Sequence, residues 1–248
     1  WGLLAVAWAV GLIVAFFVAA QLVSRTGRFK RQLIVGSVVS LTGFALLAHM
    51  DGEKSHWLVR TTLESLARLT HRGAVAADGK SGDGCGIMLQ FPEPFLRDVA
   101  KDCGFRLSER FAAGLVFFSP DPALIERGQE ILTRHLARLA LNVVGWRDVP
   151  TRPEFVGEQA RSCMPAICQV FVNAPAGWRP HDVERQLFAA RRFAFEEERK
   201  LPDADPLYYV VTLSNLTMVY KGLVQAEHLA DFYPDLRDER MTSSIGIC

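Results

Sequence analysis

The pattern of apolar and polar positions changes abruptly near residue 51. Residues 1–24 carry no charged side chain, and residues 32–48 carry none either. A helix needs about 20 apolar residues to cross the hydrocarbon core of a bilayer. The first run has that length, and the second lies at the short end of the range. Between them, Ser24-Arg25-Thr26-Gly27-Arg28-Phe29-Lys30-Arg31 forms a tight basic turn, which belongs on the cytoplasmic side because Lys and Arg resist translocation. The pattern predicts a two-helix membrane hairpin over residues 1–51, with the lipid bilayer as partner through residues 1–49. A cleaved signal is disfavoured, since no basic stretch precedes the first run and a second run follows it. The chain opens on Trp1, so it is expected to be a fragment without its true start.

After Asp51 the period becomes that of amphipathic elements. Leu58, Val59, Leu63, Leu66 and Leu69 form a helical stripe, with Ser55 as cap and Gly73 as terminator. Ser81-Gly82-Asp83-Gly84 reads as a tight turn, because Asp-Gly accepts positive backbone dihedral angles. Short runs rich in β-branched or aromatic residues predict strands over 87–91, 114–118, 142–146, 167–173, 208–213 and 216–220. Helical patterns lie at 93–103, 122–141 and 181–200. Leu213-Ser214-Asn215-Leu216 marks a hairpin, so the expected class is α+β, an antiparallel sheet with helices on its faces.

Charge and cysteine usage narrow the chemistry. Of the 28 Lys and Arg only Arg25, Arg28, Lys30 and Arg31 precede residue 52, and Asp51 is the only acid that does, leaving 24 bases against 26 acids. A nearly neutral body offers no electrostatic case for nucleic acid. Five cysteines without paired spacing read as reduced thiols of a cytosolic protein. Cys85, Cys103, Cys163 and Cys168 are too scattered for a zinc site. His56, His135, His181 and His228 lack acidic or thiol partners at ligand spacing, so no metal is expected.

Two resemblances enter here. The long apolar helix, Gln21-Leu22-Val23-Ser24-Arg25-Thr26-Gly27-Arg28-Phe29-Lys30 and the second apolar helix are similar to the basic loop between paired helices of a major facilitator drug-efflux transporter. Two helices enclose no substrate path, so no transport is expected. The second resemblance spans residues 52–248. Leu69-Thr70-His71-Arg72-Gly73-Ala74, then Ala77-Asp78 and Ser81-Gly82-Asp83-Gly84-Cys85-Gly86-Ile87, resemble the opening of the class II glutamine amidotransferase domain of glutamate synthase. The agreement continues through Gln169-Val170-Phe171-Val172-Asn173, Tyr220-Lys221-Gly222-Leu223 and Phe232-Tyr233-Pro234-Asp235-Leu236 to Ser243-Ser244.

What this second resemblance implies is an N-terminal-nucleophile hydrolase-like αββα sandwich that releases ammonia from glutamine, with His71, Arg72, Gly73, Asp83 and Gly84 bordering the pocket. That family attacks the glutamine amide with the thiol of an N-terminal cysteine whose own amine is the base. No cysteine precedes Cys85 here, and the amine of Cys85 is locked in a peptide bond, so Cys85 is read as a packing choice. The family's glutamine-gripping Arg and its Asn-Gly oxyanion pair follow the strand matched by 244–248, so the sandwich is expected to be incomplete and inactive. No cofactor is expected in this chain; FMN and an iron–sulfur cluster belong to other domains of the complete family enzyme. Three readings stay open: an inactive glutaminase fragment, cytoplasmic as its family is; a membrane-anchored binding protein; and an artefactual fusion of a transporter piece with a glutamate synthase piece.

Overall fold

The computed structural model describes residues 52–69 and 73–248. The expected membrane hairpin, its basic turn and its transporter resemblance lie outside the described residues, as do His71 and Arg72. Among the described residues no helix is long and apolar enough to cross a membrane.

Residues 52–248 form one compact unit. Its helices are α1 (His56–Ala67), α2 (Glu93–Asp102), α3 (Pro122–Arg138), α4 (Glu158–Ser162), α5 (Pro180–Glu198) and α6 (Leu229–Phe232). Its strands are β1 (Ser81–Gln90), β2 (Phe111–Phe118), β3 (Asn142–Asp148), β4 (Ala166–Asn173), β5 (Tyr209–Ser214), β6 (Thr217–Val224) and β7 (Gly246–Ile247). They build two antiparallel sheets, one ordered β6-β1-β7 and the other β3-β4-β2-β5.

The central strands are mostly apolar because both of their faces are covered; β2 is an unbroken apolar run, and β4 is interrupted by the buried Gln169. Ala112, Val116, Phe118, Cys168, Val170 and Val172 pack with Leu132 and Leu136 of α3 and Val183, Leu187 and Ala190 of α5. The alternate residues Ala113, Leu115 and Phe171 join a second core containing Ile87 and Leu89 of β1, Met218 and Tyr220 of β6, and Val59 of α1. Full burial of a side chain such as Leu115 stabilises by roughly 1.5–3 kcal/mol. The mixture of helices and antiparallel strands expected from element order is therefore what forms.

Three local expectations are corrected. Ser81-Gly82-Asp83-Gly84 is not the reversal but the bulged start of β1, whose register shifts between Ser81 and Cys85. The chain reverses earlier, at 76–81, where Gly79 takes φ +70° and Asp78 accepts hydrogen bonds from the amides of Lys80 and Ser81. Gly84, at φ +115°, supplies the irregularity that re-aims the strand.

The turn at 213–216 is not a hairpin either, since β5 and β6 belong to different sheets. Glu184 of α5 accepts from the Asn215 amide at 2.6 Å and the Ser214 hydroxyl at 2.8 Å, while Ser214 Oγ accepts from the amides of Leu216 and Thr217. These bonds steer the chain from one sheet to the other. Helix α1 begins as expected, with Ser55 Oγ accepting from Leu58 N, but it ends at Ala67 before Gly73 is reached.

Candidate functional site

The C-terminal half of β6 and the first half of β1 lie side by side, with Cys85 opposite Gly222, Gly86 opposite Lys221 and Ile87 opposite Tyr220. Beside them opens a cavity of about 640 Å³. One wall is Asp83–Met88 with Val219 and Lys221–Leu223; another is α4 and its flanks, through Val156, Ala160, Cys163 and Met164. Phe117 of β2, Ile167 of β4 and Leu207 also face it, and Phe232, Tyr233 and the end of β7 close it further. The surface is mostly apolar, and Asp83 and Lys221 are its charged side chains. Lys221 Nζ sits 4.2 Å from the centroid of the Tyr209 ring, whose electron-rich face holds a cation in place.

Cys85 is half-buried in this wall and its Sγ donates to the Val224 carbonyl at 3.2 Å. Burial, then the neighbouring Asp83 carboxylate, push its thiol up to about 11, so at neutral pH it is protonated and a poor nucleophile. Burial likewise raises the thiol of Cys248.

Behind the cavity two distant sequence segments interlock. Tyr233 donates its hydroxyl to the Lys221 carbonyl at 2.8 Å. Tyr220 donates to Asp235 Oδ2 at 3.0 Å, and the two tyrosine rings meet edge-on with centroids 5.2 Å apart. Arg147 of β3 bonds Asp235 and also donates from Nε to Gln169 Oε1 at 2.7 Å. Burial, then Asp235, lift the Tyr220 hydroxyl well above its ordinary value; burial, then Cys85 and Asp235, do the same for Tyr233. Both therefore act only as neutral donors.

The α4 wall is fastened from outside its own sequence. Asp78 Oδ2 accepts from the Gln159 amide at 3.0 Å, and Ser81 Oγ, itself bonded to Asp78, accepts from the Ala160 amide at 3.0 Å. The Ser81 hydroxyl and amide, with the Lys80 and Gln159 amides, hold the Asp78 carboxyl well below the usual carboxylate range.

Of the residues expected at the pocket, Asp83 and Gly84 line the cavity, whereas Gly73 is exposed and does not. His71 and Arg72 lie outside the described residues. Two of the histidines do meet single carboxylates, His135 Nε2 at 2.9 Å from Glu197 and His228 Nδ1 at 3.3 Å from Asp231. The His228 contact is local, three residues along the chain, whereas Glu197 is 62 residues from His135 and local spacing does not give that pair. Lys221 as the cavity's cation, and Asp78 with Ser81 as the clasp on α4, were not foreseen. An Asp three residues before a Ser is the signal that was available, although it does not say which amides are bound.

Residues 42–248 match the family model described as glutamine amidotransferases, class II. The matched stretch starts ten residues ahead of Gly52, inside the second apolar run. Over 207 residues the chain is 35% identical to the ferredoxin-dependent glutamate synthase of Spinacia oleracea, covering 83% of this chain and 13% of that protein. It is 35% identical over 210 residues to the glutamate synthase [NADPH] large chain of Azospirillum brasilense, covering 83% and 14%. With the glutamate synthase [NADPH] large chain of Bacillus subtilis the identity is 32% over 206 residues, covering 83% and 13%. The chain thus spans about one-seventh of these relatives' length. The similarity of residues 1–51 to a transporter helix pair finds no support in these matches. With a family model covering residues 42–248 and relatives above 30% identity along the same stretch, this chain belongs to the class II glutamine amidotransferases.

Proposed function

We propose that residues 42–248 correspond to the glutaminase part of a glutamate synthase large subunit and take as ligand L-glutamine, the compound from which the family releases ammonia. The observation that carries this reading is convergence. Ser81–Ile87, Tyr220–Leu223 and Phe232–Tyr233, three of the segments that resemble the family and lie far apart in sequence, contribute lining to one cavity. The αββα architecture of the N-terminal-nucleophile hydrolases is part of the proposal, supported by two antiparallel sheets sharing a core, with α3 and α5 covering the outer face of one.

Asp83 and Gly84, which line the cavity, are proposed to border the glutamine site; the family resemblance implies the same role for His71 and Arg72, which lie outside the described residues. Cys85 is proposed to be a wall residue rather than the nucleophile, because its thiol is protonated and hydrogen-bonded to Val224. FMN and an iron–sulfur cluster are assigned to other parts of such an enzyme. A bilayer contact through residues 1–49 is not part of this reading.

The test is glutamate release from glutamine, together with glutamine binding, by the full chain and by Cys85→Ala. The proposal expects glutamine binding in both proteins and no catalytic role for Cys85. Turnover that disappears in Cys85→Ala would make Cys85 the nucleophile and overturn that assignment.

A further inference from the structure

Helix α4 has five residues, too few to persist without outside contacts. Its N-cap, Gly157, makes no side-chain cap bond, so two of its first amides would be orphans at the cavity wall. Asp78 and Ser81 take those amides from a loop 81 and 79 residues away. Gly157 is fitted to this arrangement: a Cβ there would overlap the Asp78 carboxylate and the Ser81 hydroxyl. The same Ser81 opens β1, which forms the opposite wall of the cavity. One pair of side chains therefore joins two walls of a single cavity.

We propose that Asp78 and Ser81 form a latch that holds residues 156–165 as a movable wall of the cavity, so that releasing the latch opens the cavity while the two sheets stay folded. Few other polar contacts hold this segment. Arg161 bonds only to Pro153 and Val156 within the segment's own neighbourhood, and the thiol of Cys163 and hydroxyl of Ser162 bond back to Gln159. Apolar contact comes from Val156 and Ala160, which pack into the inter-sheet core. Asp78 is thus a positioning residue: it touches the wall, not a bound molecule. The inference rests on the geometry of the cavity and is independent of what the cavity takes.

The test is amide hydrogen exchange and site-resolved alkylation on the full chain, comparing the natural sequence with Asp78→Ala and with Gly157→Ala, which crowds the latch from the other side. Both variants are expected to speed exchange at Gln159 and Ala160 by about tenfold or more, the order set by losing a helix cap. Exchange at Ala113 and Val170, in the four-stranded sheet, is expected to stay unchanged. Alkylation of Cys85, inside the cavity, is expected to rise several-fold against buried Cys168 as internal control. Three outcomes overturn the proposal. Unchanged exchange at 159–160 shows that the bonds do not hold the segment. Loosened amides with an unchanged Cys85 rate show a cap without a wall. Loss of protection throughout the sheets shows that Asp78 supports the whole fold rather than a local latch.

Discussion

The Tyr233 hydroxyl donates to the backbone carbonyl of Lys221 at 2.8 Å, so the element that closes the cavity's back fixes the backbone that presents its cation. Tyr233 is fully buried and its ring packs edge-on against Tyr220 and Phe232. Tyr233→Phe keeps the ring and removes only the donor, leaving a carbonyl without its partner. That loss costs about 1–3 kcal/mol. Chemical denaturation should give a lower midpoint with an unchanged slope, and an unchanged midpoint would show that the bond contributes nothing.

Arg147 and Asp235 form an ion pair whose side chains are 11% and 7% exposed, completed by Tyr220 and Gln169. Removing one member strands the other charge away from water. Arg147→Met is expected to destabilise by about 3–5 kcal/mol. The double variant Arg147→Met with Asp235→Leu is expected to recover much of that loss, because no charge is then left alone. Equal stability of the single and double variants would contradict this account.

The fold was legible where local pattern and tertiary environment agree. Strands β2 and β4 are covered on both faces and mostly apolar, so the strands expected at 114–118 and 167–173 fall within Phe111–Phe118 and Ala166–Asn173, although Phe111–Ala113 of β2 were not read as strand. The start of β1 was hidden because its glycines lower strand propensity and mark a bulge instead. Which sheet receives the chain after Ser214 depends on Glu184, 30 residues earlier, and no turn rule contains that bond. The α4 wall was missed for the same reason, since its caps come from Asp78 and Ser81. At the site, Asp83 and Gly84 were reached through family resemblance, whereas Lys221 became a cavity residue only through its pairing opposite Gly86.

Burial and the adjacent Asp83 raise the Cys85 thiol to about 11. Alkylation proceeds through the thiolate, so the Cys85 rate should keep climbing well above pH 9. A simple exposed thiol levels off once it passes its ordinary value near 8.5. Peptide mapping after timed alkylation between pH 7 and 11 reads this directly. A plateau by pH 9 would show that Cys85 is not shielded as the structure has it.

The Asp78 carboxyl is held below its ordinary range chiefly by the Ser81 hydroxyl, with help from three amides. A depressed folded value means that the stabilisation is fully present above the unfolded value, near 3.9, and fades as pH falls toward the folded one. Protection of the Gln159 amide, corrected for intrinsic exchange, should therefore persist through pH 4. It should decline only in more acidic solution. Loss of protection between pH 6 and 5 would indicate that some other group controls the latch.

Titration of the isotope-labelled full chain with L-glutamine, followed residue by residue by NMR, shows whether the cavity beside β1 and β6 is the glutamine site. Shifts are expected to concentrate at Asp83–Met88 and Lys221–Leu223, around the cavity, with smaller changes at Tyr233 and almost none on the exposed face of α5 near Phe188. Absence of saturable shifts at millimolar glutamine, or shifts centred away from β1 and β6, would contradict that assignment.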